Sequence, residues 1–220
     1  MKIPSFAPLV AVALCAAALT GPTLRAQAYY DIHLDTSALI ANSAGPFYLD
    51  FQLNDGAGLG NNDNTAVLSA FDFHGGAALT DVNAFGGATG DLASTVTLHD
   101  SSFLNEFFQS FTPGQSLDFH LTLSTTVDTP TPDLFVFSIL DRNTFTIATT
   151  AASDALIEIT IDGLTPSLQT YAGDVAGGGI ALDAPSIAAV PEPATYGLIA
   201  AGAFFAAALW RRRALRVASA

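Results

Sequence analysis

Residues 54–64 read Asn54-Asp55-Gly56-Ala57-Gly58-Leu59-Gly60-Asn61-Asn62-Asp63-Asn64. This run gathers carboxylate, amide and carbonyl oxygens on a backbone that its glycines let bend. Oxygen donors on a pliable loop suit a hard cation, calcium first. Asp55, Asn61 and Asp63 are the candidate ligands. The spacing is not that of an EF-hand, because no Glu closes the loop. The alternative is a long Asx-rich connection that exploits left-handed conformations.

A second set of polar residues has metal-ligand chemistry. Asp31 and His33, Asp72 and His74, and Asp118 and His120 are each two apart, with His99 beside Asp100. Two-residue spacing puts both members of a pair on one strand face. If the strands were neighbours, a His/Asp metal patch could form. Otherwise these are outward polar positions of alternating strands. No catalytic signature accompanies them. There is no G-x-S-x-G elbow, and Glu106 and Glu158 are the only glutamates before the tail. A glycan-active enzyme would need a carboxylate pair among the many aspartates, and nothing in the sequence selects one. The expectation is a non-catalytic protein.

Both ends of the chain carry addresses. Lys2 supplies a positive n-region and residues 9–19 an apolar h-region, broken by Gly21 and Pro22. Ala26-Gln27-Ala28 is an A-x-A site, so signal peptidase would cut after Ala28. Cys15 lies inside the h-region behind Leu14 and reads as an ordinary apolar residue. At the other end, Pro191-Glu192-Pro193 precedes the uncharged stretch 194–210, and Arg211-Arg212-Arg213 follows it. As a helix that stretch spans about 25 Å, a short but sufficient membrane crossing. Trp210 fits an interfacial anchor, and the arginines would stop transfer and stay cytoplasmic. The prolines keep Glu192 out of any helix. The tripeptide is then extended just outside the membrane.

Pro191-Glu192-Pro193, one span and a basic stop together resemble the PEP-CTERM tail of exported bacterial proteins. The resemblance implies recognition by an exosortase, a membrane-embedded cysteine protease. It further implies temporary anchoring in the inner membrane, then processing near the tripeptide, with release to the cell surface or medium. Association with exopolysaccharide or biofilm matrix is implied as well. A looser resemblance to the core of a group of PEP-CTERM exported proteins covers about residues 46–162. It rests on Gly60-Asn61-Asn62, Gly90-Asp91-Leu92, Phe103-Leu104-Asn105-Glu106-Phe107 and Ser138-Ile139-Leu140-Asp141. It implies shared fold and sorting alone.

Charge narrows the partners. All twenty acidic residues lie between Asp31 and Glu192, and Arg142 is the one Lys or Arg in that interval. Such a surface repels nucleic acid and anionic membranes. It suits multivalent cations, basic partners or neutral glycans. Cys15 is the single cysteine and would leave with the signal, so the exported part has no disulfide and no zinc-thiolate site. Packing must supply its stability.

Period-two alternation dominates the body. Phe47, Leu49, Phe51 and Leu53 face one way. Leu117, Phe119, Leu121 and Leu123 do likewise, as do Ile157, Ile159 and Ile161. Weaker runs lie at 30–35, 67–74 and 95–99, and 134–140 is continuously apolar, as for a central strand. Residues 102–111 fit either a short helix or a strand with Phe103, Phe107 and Phe111 inward; the neighbouring pattern favours the strand. The expected class is all-β, an antiparallel β-sandwich of jelly-roll type with about eight to ten strands. A signal helix and a C-terminal transmembrane helix would flank it. The expected division is signal peptide 1–28, sandwich 29–172, Gly/Ala/Pro linker 173–190, sorting signal 191–213 with its span at 194–210, and cytoplasmic tail 214–220. A calcium-dependent carbohydrate-binding module is the alternative function.

Overall fold

The computed structural model describes residues 27–56, 58, 60–126, 131–163, 166–190 and 201–204. The expected signal helix, the Pro191-Glu192-Pro193 tripeptide, the arginine stop and most of the expected span lie outside these residues. Residues 201–204 are helical. Among the described residues no helix is long and apolar enough to cross a membrane.

Alternating sequence becomes two antiparallel sheets. The strands are β1 (Gln27–Asp35), β2 (Phe47–Asn54), β3 (Thr65–Asp72), β4 (Ala77–Phe85), β5 (Gly87–Gly90) and β6 (Thr95–His99). They continue with β7 (Leu104–Thr112), β8 (Ser116–Ser124), β9 (Asp133–Leu140), β10 (Ile157–Ile161), β11 (Ser167–Thr170) and β12 (Ser186–Val190). One sheet runs β12-β1-β8-β3-β6-β5, the other β11-β10-β9-β2-β7-β4. Their facing sides share one core, in which Phe51 of the second sheet meets Phe119 of the first at 5.6 Å, edge to face. This is the architecture of a β-sandwich.

Individual residues explain the strands. Leu117, Phe119, Leu121 and Leu123 are buried on β8 while Asp118 and His120 point outward. On β9, Phe135, Phe137 and Ile139 enter the core, and Val136, Ser138 and Leu140 on the other face are buried too. The strand lies between β2 and β10, as its apolar run requires. Residues 104–112 are strand. Phe107 and Phe111 are buried, but Phe103 sits before the strand and is 64% exposed. Asn105 and Gln109 occupy inward positions that apolar residues usually take. Both are fully buried and satisfied: Asn105 Nδ2 donates to the Leu53 carbonyl at 2.9 Å, and Gln109 Oε1 accepts Leu92 N–H at 2.8 Å. Buried amides persist only when paired in this way.

Two further features lay outside the binary pattern. Along β3 the inward register moves from Ala66 and Leu68 to Phe71, and Phe73 just past the strand continues it. A bulge between Ser69 and Asp72, with Ala70 at φ 54°, supplies the missing residue of phase. It also leaves Asp72 opposite Asp118. Residues 186–190, which composition assigns to a linker, form β12 and pair with β1 from Tyr29 to His33.

Candidate functional site

Three connections meet at one end of the sandwich. The 55–64 loop joins β2 to β3, Asp100 follows β6, and Asp133 opens β9. Carboxylate oxygens of Asp63, Asp100 and Asp133 all lie within 4.8 Å of one another. Among the described residues this is the one group of three or more His, Cys, Asp or Glu that converges so tightly.

The loop is folded by its own polar side chains. Asp55 is fully buried; its Oδ1 accepts Gly58 N–H at 2.8 Å, and its Oδ2 accepts Gly60 N–H at 2.7 Å and Asn61 N–H at 3.2 Å. Asn61 Oδ1 accepts Asp63 N–H at 3.0 Å. Of the three sequence candidates, Asp63 therefore joins the carboxylate cluster. Asp55 and Asn61 turn their oxygens to the loop backbone. Two glycines allow the close approach. A Cβ on Gly56 would stand 2.2 Å from the Pro132 carbonyl oxygen, and one on Gly60, at φ +68°, 2.3 Å from that of Ser101. Neither side of the site tolerates a larger residue there.

Asn64 sits at the centre and is fully buried. Its Nδ2 donates to Asp63 Oδ1 at 3.2 Å, Asp133 Oδ2 at 2.9 Å and the Thr126 carbonyl at 3.0 Å. Its Oδ1 accepts from Ser124 Oγ at 3.1 Å and Thr126 N–H at 3.0 Å, which fixes the amide's orientation. Asp133 Oδ1 accepts Gly56 N–H at 2.9 Å. Asp100 Oδ2 accepts Asn64 N–H at 2.9 Å, while its Oδ1 has no hydrogen-bond partner. Burial, with the Asp133 and Asp63 charges nearby, pushes the Asp100 carboxyl up to about 7 against the opposing Asn64 N–H. Burial raises Asp133 as well. Asp100 and Asp133 escape sequence reasoning because they are 37 and 70 positions beyond Asp63 (from 100, 133 and 63). The usable signal is an Asp abutting each end of an apolar strand pattern.

The three Asp/His pairs also come together, at the outer face of the first sheet. β1, β8 and β3 are neighbours, and Asp31 lies opposite His120 and His33 opposite Asp118. His33 Nδ1 is 2.5 Å from Asp118 Oδ1, and His120 Nδ1 is 2.5 Å from Asp31 Oδ1. His74 Nε2 contacts the other Asp118 oxygen. Burial opposes ionisation of Asp118, but the His74 and His33 donors outweigh it and hold the carboxyl below its usual range. His99 stands apart on β6, hydrogen-bonded through Nδ1 to Thr65 Oγ1 at 3.1 Å. His33 and His74 share Asp118 while His120 pairs with Asp31, exposed contacts worth little individually.

No curated protein and no solved structure that was compared with the chain matches it. The C-terminal segment does match: residues 189–213 fit the PEP-CTERM protein-sorting motif, so the chain carries the sorting signal of exported proteins that an exosortase processes.

Proposed function

We propose that this is a non-catalytic surface or extracellular-matrix protein, delivered by its two terminal signals and associated with exopolysaccharide or biofilm. The sorting motif at 189–213 carries the reading. Signal peptidase cuts after Ala28, the uncharged 194–210 stretch holds the chain in the inner membrane, and Arg211, Arg212 and Arg213 keep the tail inside. The exosortase then acts near Pro191-Glu192-Pro193. The body contributes a rigid acidic block. An aromatic ridge on the outer face of the second sheet supports glycan association. Phe108 stacks on Phe85 at 6.1 Å and meets Tyr48 edge-on at 5.9 Å, and Phe85 is 52% exposed. Exposed ring faces of this kind suit sugar rings, with Gln52 and Glu106 beside them as hydrogen-bonding groups.

The test is fractionation of the producing cell. The parent chain is expected in the extracellular fraction, sedimenting with polysaccharide. Glu192→Gln, which removes the charge of the tripeptide without altering its prolines, is expected to accumulate at full length in the membrane. Normal maturation of Glu192→Gln contradicts recognition through that carboxylate. A parent protein free of all polysaccharide contradicts the matrix assignment.

A further inference from the structure

We propose that Asp63, Asp100 and Asp133 form a calcium site that clamps three connections at one end of the sandwich. The site is independent of the sorting reading and would stand or fall without it.

The geometry comes first. Calcium takes oxygen ligands at about 2.3–2.6 Å, so ligands on opposite sides of the ion are up to about 5 Å apart. The three carboxylates fall within 4.8 Å of one another and meet that limit. They come from separate segments, the 55–64 loop, the end of β6 and the start of β9. An ion shared among them ties all three together.

A second observation points to a ligand. Asp100 is 0% exposed, and its Oδ1 has no hydrogen-bond partner, while its carboxylate belongs to the convergent group. Leaving a buried carboxylate oxygen without a donor costs free energy. Other buried polar groups around it are satisfied: Asn64 uses both amide atoms, and Asp55 uses both carboxylate oxygens. The described residues also place no Lys or Arg beside Asp100. Among the described residues Arg142 is the only Lys or Arg, and it lies beyond the far end of β9 from Asp133. β9 is eight residues long, roughly 25 Å of rise.

Donor chemistry selects the ion. All three ligands are hard oxygens, with no thiolate or imidazole, which disfavours zinc and copper. The carboxylates sit on loop ends rather than on a preformed octahedral cage, so calcium's flexible coordination fits better than magnesium's. Asn64 is a positioning residue: its amide orients Asp63 and Asp133 without being free to ligate. Oxygens of solvent would complete the shell.

Thermal unfolding of the full chain in detergent, stripped of divalent ions and then given 10 mM calcium or magnesium chloride at matched ionic strength, tests the site. For a dissociation constant near ~0.1 mM, as extracellular calcium modules show, the calcium midpoint should rise by about 5–10 °C. Magnesium should give less than about a third of that. Asp100→Asn should lose the calcium shift yet be no less stable than the parent without calcium, because it removes an uncompensated buried charge. Asp31→Asn, on the outer face of the first sheet and outside the cluster, should keep the whole shift. Equilibrium dialysis adds a readout that does not depend on Asp100→Asn folding. One calcium should bind the parent, and Asp63→Asn, at a half-buried loop position, should bind at least about tenfold more weakly. Equal shifts with calcium and magnesium, a full shift in Asp100→Asn, or unchanged affinity in Asp63→Asn would each overturn the proposal.

Discussion

Phe51→Asp is expected to abolish folding, while Gln52→Ala leaves a folded sandwich. Phe51 is fully buried at the middle of β2. Its ring stacks on Phe137 at 5.0 Å, meets Phe119 at 5.6 Å and lies 6.1 Å from Phe71. It therefore touches both sheets. Removing a buried phenyl group costs about 3–5 kcal/mol, and placing an unpaired carboxylate there adds several more. Together these approach the whole stability of a domain, about 5–15 kcal/mol. Gln52 is half-buried on the opposite face, where Nε2 donates to Asp50 Oδ2 at 2.9 Å and Glu106 Oε1 at 3.2 Å. Truncating it loses those bonds, about 1–3 kcal/mol. Circular dichroism and a denaturant titration read both outcomes. Equal stability of the two variants would contradict the register of β2.

The second large effect concerns pH. Asp50 lies on the outer face of β2, between Phe108 of β7 and Ser138 of β9. It is 1% exposed, and its Oδ1 has no partner. Burial, with the Glu106 charge beside it, pushes its carboxyl up to about 7, against the opposing Gln52 amide. Glu106 is itself raised by burial. The folded protein thus holds a proton on Asp50 that the unfolded chain releases near its ordinary value. The folded state binds more protons between about pH 4 and 7, so stability falls as pH rises through that window and levels off above it. Asp50→Asn mimics the protonated form: its carbonyl can keep the Gln52 bond and its amide can donate to Glu106. The variant should match the parent below about pH 4 and exceed it at pH 8 by up to about 4 kcal/mol, since each tenfold change in proton affinity is worth about 1.4 kcal/mol. Urea midpoints across that range check it. Parallel pH profiles for parent and variant would contradict a neutral, buried Asp50.

What the sequence disclosed follows from which contacts are local. Alternation at 47–53, 117–123 and 157–161 was sufficient to place β2, β8 and β10 with the right inward faces. β4 carries no alternation, because it is an edge strand exposed along most of its length. Ala- and Pro-rich composition hid β12, which relies on β1 for its pairing rather than on a core-facing pattern. Gln52 stands on the outward face that the alternation implies. Its bridge to Asp50 and Glu106 is a cross-strand contact that no local pattern discloses. The candidate cation site was half legible. Asp63 announced itself within an Asx-rich loop, whereas Asp100 and Asp133 reach it only through the order of β3, β6, β2 and β9 across two sheets. Asp31 with His33 and Asp118 with His120 share a strand face, as the i, i+2 spacing implies, whereas His74 lies in the turn after β3. Only the topology showed that β1, β8 and β3 stand side by side.

Export with processing at both ends is the central claim, and the intact mass of the protein recovered from outside the producing cell tests it most directly. The expected mass is that of a chain beginning at Tyr29 and ending near Pro191-Glu192-Pro193, without Trp210 and without Arg211, Arg212 and Arg213. Extracellular protein that retains the arginine tail, or a chain found only at full length in the membrane, would contradict it.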